Sequence, residues 1–211
     1  MQRLTDGKHT EVPYSFSPDG KRLAFFSYGE EVISNIFTAS VEVDYSRGTF
    51  GMRLGQPELL GGMPLSGSYP AFSPDGRWLA YAAVDESRHS NVYVQPFPGP
   101  GGRWQISSGG GRFPLWSRDG RELLFESIDQ HVMAVNYSVK GDSFSAGTPR
   151  PWSQTTLRNI SVLSNYDLAP DGRRLAAVLA EDPASGGKLT RLNILLNFAD
   201  EVRRKVPLSG K

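Results

Sequence analysis

The sequence predicts an all-β chain built from four consecutive antiparallel units of four strands each. Three observations predict it. An apolar strand, a Ser-Pro-Asp-Gly turn or a close variant of it, and a second apolar strand recur at Gly20, Gly76, Gly120 and Gly172, at spacings of 56, 44 and 52 residues. Leucine follows each glycine by three positions (Leu23, Leu79, Leu123, Leu175), and a large apolar residue precedes each by four (Phe16, Phe72, Trp116, Leu168). The 23 glycines and 15 prolines suit many short strands joined by tight turns. Repeats of this length with four antiparallel strands each are the blades of a β-propeller.

The turn has a physical logic. Pro18 and Pro74 fix φ near the value that the first central position of a type I turn requires, and Asp suits the second. Glycine then takes the left-handed conformation that closes a short hairpin with a bulge. Each Asp is therefore read as a turn residue and not as a metal ligand. The leucine and the large apolar residue of each unit are expected to face one buried layer.

The units follow in order, with blades expected at about 13–61, 69–108, 113–154 and 165–197. Unit one pairs 13–17 with 22–27, then adds strands at 35–43 and near 57–60. Unit two places strands near 69–73, 78–83, 91–97 and 103–107; its Ser90-Asn91-Val92-Tyr93 echoes Ser34-Asn35-Ile36-Phe37. Units one and three share Val41-Glu42-Val43-Asp44-Tyr45-Ser46 and Met133-Ala134-Val135-Asn136-Tyr137-Ser138, each followed by Phe50 or Phe144 and a Gly-x-Pro. Both should carry a long third-to-fourth-strand hairpin that unit two lacks. Unit four runs near 165–169, 174–180 and 189–197. A short helix is then expected over 198–206, with acidic residues in its first turn, basic ones near its end, and Pro207 as its stop. Residues 1–6 read as an outer strand of the last blade or of a preceding one, and a longer parent chain is expected.

Composition narrows the function. A formal net charge of +1 argues against a nucleic-acid binder, which needs a concentrated basic face. The absence of cysteine excludes disulfides, zinc-thiolate sites and cysteine nucleophiles. No run of about eighteen apolar residues is present, so no direct membrane insertion is expected from this sequence, nor is a signal core visible.

The pattern Phe72-Ser73-Pro74-Asp75-Gly76-Arg77-Trp78-Leu79-Ala80-Tyr81, with Leu4-Thr5-Asp6-Gly7 ahead of the first copy, resembles the WD40-like PD40 repeats of TolB-type β-propellers. Met133-Ala134-Val135, Phe144-Ser145-Ala146-Gly147-Thr148-Pro149-Arg150 and Asn193-Ile194-Leu195-Leu196-Asn197-Phe198 are most similar to the C-terminal propeller of bacterial receptor-like serine/threonine protein kinases. That resemblance implies an extracytoplasmic, periplasmic propeller preceded elsewhere by a kinase domain and a membrane span. The sequence itself holds no Gly-rich phosphate loop, no His-Arg-Asp and no Asp-Phe-Gly, so kinase activity is not carried over.

Catalytic chemistry is not expected. Propellers also precede the catalytic domain of prolyl-oligopeptidase-type serine peptidases, where they gate substrate, but Gly-x-Ser-x-Gly is absent. The nearest approach, Leu65-Ser66-Gly67-Ser68-Tyr69, reads as a loop between blades. His9, His89 and His131 fall in unrelated phases of the repeat, so no metal site and no cofactor is expected. Gly109-Gly110-Gly111-Arg112 lacks the Lys-Ser/Thr and the helix of a phosphate loop and reads as an inter-blade connection. Trp116 should be core, Trp78 half-exposed, and Trp104 and Trp152 on outer strands. Recognition of a protein or a small ligand through loops remains, since a rigid scaffold displays its binding residues on its connections. The loops from second to third strand and from blade to blade should share one face, carrying Tyr28, Glu30, Glu31, Asp85, Arg88, His89, Arg112, Arg158 and Asn159.

Overall fold

A computed structural model describes residues 9–29, 34–44, 51–62, 66–84, 88–99, 101–161 and 163–179. Sixteen strands are assigned there: β1 Thr10–Phe16, β2 Arg22–Tyr28, β3 Ser34–Asp44, β4 Gly51–Leu54, β5 Glu58–Leu59, β6 Ser66–Phe72, β7 Trp78–Val84, β8 Ser90–Pro96, β9 Trp104–Gln105, β10 Arg112–Trp116, β11 Glu122–Glu126, β12 His131–Lys140, β13 Ser143–Ala146, β14 Arg150–Thr156, β15 Tyr166–Leu168 and β16 Leu175–Ala177. Every pairing is antiparallel. The fold is an all-β propeller array. Blade two is the plain four-stranded sheet β6-β7-β8-β9, and blade four shows its inner pair β15-β16 among the described residues. Blades one and three each split their third strand between two partners, β4 and β5 on β3, and β13 and β14 on β12. The expected long hairpin is thus present in both. The expected third strand of unit four, the helix over 198–206 and the strand over 1–6 lie outside the described residues.

The turn hydrogen bonds show why its letters recur. Ser17 Oγ donates to Asp19 Oδ1 (2.6 Å) and accepts from Arg22 N (2.9 Å), while Asp19 Oδ1 accepts from Lys21 N (3.0 Å). Ser73 with Asp75, and Ser117 with Asp119, repeat the pattern. The fourth turn has Ala169 in the serine position and keeps only the aspartate half, Arg173 N to Asp171 Oδ1 at 2.9 Å. The four glycines sit at φ of 70°, 70°, 69° and 67°, the left-handed region that a side chain enters at a cost.

The leucines sort the blade faces. Leu79 packs with Ala24, Phe26 and Ile36 between blades one and two. Leu123 packs with Trp78, Val92 and Val94 between blades two and three, and Leu175 lies against the cluster joining three to four. Each leucine therefore faces the preceding blade, and full burial of such a side chain contributes about 1.5–3 kcal/mol. Phe72, Trp116 and Leu168 share those layers, but Phe16 is 51% exposed. Its partner across the strand pair, Leu23, clusters with Phe25, Ala39 and Val41 on the face turned away from blade two, and among the described residues no other blade packs on that face.

Other expectations shift for local reasons. Trp78 is 1% exposed, not half-exposed, because Phe144 from the β12–β13 hairpin and Trp104 close over it at ring separations of 5.2 and 5.5 Å. Ser66 to Tyr69 form the start of β6 and not a loop. The likeness of 41–46 to 133–138 is not a structural equivalence. Leu23 pairs with Ala39 and Leu123 with Val135, so Val41 corresponds to Tyr137.

The innermost strands carry proline beside a register shift, at Pro13, Pro70 and Pro114, which an edge strand tolerates. The shift turns an aromatic ring inward. Tyr14 and Tyr69 lie 5.5 Å apart by centroid, and Tyr69 and Phe113 4.4 Å. Tyr14 and Tyr69 also pack against the cluster that holds Phe113, Tyr166 and Leu168, so the inner strands of all four units converge on one aromatic plug. One side-chain hydrogen bond ties each neighbouring pair: Phe72 N to Ser15 Oγ (3.1 Å), Trp116 Nε1 to Ala71 O (2.9 Å) and Tyr166 Oη to Phe113 O (2.5 Å). Burial pushes the Tyr14 and Tyr166 phenols far above the ordinary tyrosine range.

Candidate ligand-binding site

Three of the nominated residues come together. His89 before β8, Arg112 at the start of β10 and Asn159 after β14 line one hollow of about 220 Å³. Its remaining wall is Ser90, Gly110, Gly111, Glu126, Ser127 and Ile128.

The wall is tied together by its own backbone. Gly111 N donates to Ser90 O (2.8 Å), and Ser90 Oγ donates back to Gly111 O (3.2 Å). Asn91 Oδ1 accepts from Gly110 N (3.1 Å) and Ser107 Oγ (3.0 Å). Gly110 has φ of +95°, and a Cβ there would come within 3.2 Å of the Ile128 Cβ. A Cβ at Gly111 would lie 2.6 Å from Ser107 Oγ. The glycine run is thus what lets the inter-blade connection lie flush against blade three. Ile128 sits in the tight turn from β11 to β12 and is 68% exposed at the rim.

The floor is an ion pair. Arg112 and Glu126 are cross-strand partners at the ends of β10 and β11, and Arg112 Nη2 donates to Glu126 Oε1 at 2.8 Å. Arg112 Nη1 donates to Ser161 O (3.3 Å), and the guanidinium lies 5.0 Å from the Phe113 ring centroid. The Glu126 side chain is 0% exposed and that of Arg112 27%. Glu126 Oε2 is buried and has no hydrogen-bond partner among the described residues. Burying a carboxylate is costly unless its lone pairs are met, so this oxygen marks a place where a donor is wanted. Tyr69, beside the pair, has its phenol raised chiefly by burial; Arg112 opposes the shift and Glu126 adds to it.

A second hollow of about 430 Å³ lies next to it and shares Gly110, Ser127 and Ile128 in its lining. Ser107, Ser108, Asp129, His131 and Gln154 supply its polar lining, and Met133, Pro149 and Pro151 part of its apolar lining.

The other nominated residues fall elsewhere. Tyr28 ends β2 in blade one, stacked on Phe26 at 6.2 Å, and does not line the hollow. Arg88 is exposed with φ of 62° and stands outside it. Arg158 is half-buried and does not line the hollow; its backbone N–H donates to Val178 O (2.8 Å) and its carbonyl accepts from Asn165 Nδ2 (2.8 Å). Glu30, Glu31 and Asp85 lie outside the described residues. Sequence reasoning missed Glu126 and Ile128. A signal for Glu126 was available: six positions after the glycine the other units carry Phe26, Ala82 and Val178, so a glutamate there breaks an apolar phase. Among the described residues no group of three or more His, Asp or Glu is placed to hold a metal ion, and no helix is long and apolar enough to cross a membrane.

Fold and hollow together define a β-propeller module with a polar, partly enclosed site at the junction of its second and third blades. No protein-family model matches the chain. It is similar to dipeptidyl-peptidase 5 of Arthroderma otae, at 28% identity over 143 residues, covering 62% of this chain and 19% of that protein. Among solved structures it is similar to TolB from Acinetobacter baumannii, with a TM-score of 0.47 and 20% identity over 85% of this chain and 39% of that one. A puromycin-hydrolyzing peptidase of Mycobacterium tuberculosis matches at a TM-score of 0.47 and 19% identity, over 78% of this chain and 27% of that one. The chain spans less than half the length of each of these proteins.

Proposed function

We propose that this chain is a non-catalytic β-propeller module that binds a ligand through the face formed by its second-to-third-strand turns and its inter-blade connections. The observation that carries the reading is the hollow that His89, Arg112 and Asn159 line together with Glu126, whose buried Oε2 has no hydrogen-bond partner among the described residues. A propeller offers a rigid frame whose connections can specialise blade by blade, and the hollow is built from residues the repeat does not dictate. In a parent protein the module would act as a sensor or docking domain on the extracytoplasmic side, as the resemblance to receptor-kinase propellers implies. The test is a fragment mixture titrated against isotope-labelled protein. Ligand binding shifts the amide resonances of Gly110, Gly111, Ser127 and Ile128 together, and shifts scattered over the surface or none at all overturn the reading.

A second reading is supported by the match to dipeptidyl-peptidase 5: the module gates substrate for a serine-peptidase domain encoded beside it. The flanking coding sequence separates the two. An α/β-hydrolase domain there favours gating, and a kinase domain with a membrane span favours sensing.

A further inference from the structure

We infer that the hollow takes a neutral, hydroxyl-rich ligand of about monosaccharide size, extended by further hydroxylated groups into the adjoining hollow. The inference rests on the ligand-binding reading above and adds the chemical class.

Charge decides it. Arg112 and Glu126 already neutralise one another at 2.8 Å, so the floor carries both signs and no net charge. A cationic ligand head that reached Glu126 Oε2 would stand beside the Arg112 guanidinium, and an anionic head that reached Arg112 would stand beside the Glu126 carboxylate. Attraction to the nearer member is offset by repulsion from the other, so a charged head gains too little there to replace the hydration it gives up. A hydroxyl meets neither penalty. With the Glu126 side chain turned toward the hollow from its buried position, a hydroxyl donates to Oε2 while its lone pairs accept from a neighbouring N–H, and a vicinal pair of hydroxyls spans the carboxylate and the guanidinium at once.

The rest of the lining agrees. Ser90 Oγ, which donates to Gly111 O, can still accept; Ser127 Oγ, which accepts from His131 N, can still donate; and Asn159, whose Oδ1 accepts from Ser161 N, keeps its amide N–H groups, so the wall offers both roles to a ligand whose groups also do both. Ile128, mostly exposed at the rim, gives the C–H face of a ring an apolar surface. The larger hollow repeats the mixture, with Ser107, Ser108 and Gln154 beside Pro149 and Pro151, and its ionisable side chains are again of both kinds, Asp129 and His131. A single sugar ring fits about 220 Å³, and a second ring has room beyond the shared Gly110, Ser127 and Ile128.

Three isosteric probes test this on the intact chain: glucose, its cationic analogue glucosamine and its anionic analogue glucuronate, followed by amide chemical shifts, with maltose as the two-ring probe. The expected result is that glucose shifts Gly110, Gly111, Ser127 and Ile128. Glucosamine and glucuronate should each bind at least tenfold more weakly, and maltose more tightly than glucose. Glu126→Gln keeps the size of the side chain but presents an amide, and should weaken glucose at least tenfold. Ile128→Asp leaves the floor intact and should weaken maltose and glucose alike, which keeps the test independent of any folding defect in the first variant. Glucuronate or glucosamine binding as well as glucose overturns the assignment of class. So does the failure of all four sugars to bind. In that event the fragment titration still distinguishes a hollow that binds another class from one that binds nothing.

Discussion

Removing Arg112 should damage the fold through Glu126, not through the lost arginine contacts. Arg112→Met keeps much of the aliphatic stem over Phe113 but leaves a carboxylate with 0% exposure and no counter-charge, both of its oxygens now orphaned by the chain. Removing one partner of a buried pair costs about 3–5 kcal/mol. The hollow beside Glu126 lets water reach the vacated position, and the Arg112 side chain is itself 27% exposed, so the lower end applies. About 3 kcal/mol is a little over a hundredfold in the folding constant, and about 6–12 °C in Tm for a domain of this size. The decisive comparison is Arg112→Met with Glu126→Leu. Replacing both members of a buried pair with apolar groups of similar volume is close to neutral, so the double variant should lie within about 1 kcal/mol of the parent. Urea unfolding followed by tryptophan fluorescence gives both numbers. A single variant that loses under about 1 kcal/mol, or a double variant no better than the single, refutes the claim that Glu126 is a buried charge held by Arg112.

Three further outcomes follow from the same geometry. Gly76→Ala and Gly172→Ala each force a side chain into the left-handed region, at about 1 kcal/mol; Gly76→Ala should cost more, because its Cβ would lie 3.3 Å from Pro18 Cδ while the space around Gly172 is open, and denaturation midpoints compare them directly. The Ser117 hydroxyl, followed by the Arg121 backbone N–H and its charge, holds the Asp119 carboxyl below the ordinary aspartate range. A folded-state value that is depressed adds stability above the unfolded value and loses it as pH falls through the folded one, so the loss lies below about pH 4; Ser117→Ala should move the carboxyl back toward the ordinary range in a carbon-13 titration, and an unmoved titration would remove the hydroxyl as the main cause. Trp78→Ala should cost about 3–5 kcal/mol, and a cycle with Phe144→Ala should show about 1 kcal/mol of coupling, because the two rings meet at 5.2 Å across the blade interface.

The repeat was legible because its letters satisfy local demands. Ser17, Asp19 and Gly20 close a turn within six residues, and such a turn reads the same wherever it stands. Leu79 and Leu123 follow from strand period alone. What the repeat could not show is anything that depends on a neighbouring blade. Trp78 looks half-exposed until the β12–β13 hairpin arrives to cover it, and Phe16 looks buried although no blade among the described residues packs on its face. The outer-strand ion pairs make the same point. Arg22 meets Glu58 at 2.5 Å in blade one, and Glu122 meets Arg150 at the equivalent place in blade three with the signs exchanged. No residue-type pattern survives that exchange, although the contact does.

The candidate site was half legible for a related reason. His89, Arg112 and Asn159 were found because topology sends second-to-third-strand turns and inter-blade connections to one face, a rule that needs no side-chain detail. Arg158 and Tyr28 obey the same rule and stand outside the hollow, since the rule selects a face and not a hollow. Glu126 lay in a strand and was passed over as part of an apolar run. Its register partner is Arg112, eight positions before Gly120, where the other units carry Val12, Ser68 and Ser164. Two departures from one repeat, fourteen residues apart and paired across a hairpin, are a stronger functional signal than any loop residue taken alone. A charged pair is costly in a layer that three other blades fill with Val12 and Phe26, Ser68 and Ala82, or Ser164 and Val178. The scaffold keeps its turns, leucines and aromatic plug constant across blades, and the Arg112–Glu126 pair under the hollow is where blade three breaks the pattern, which is why the proposed binding is placed there.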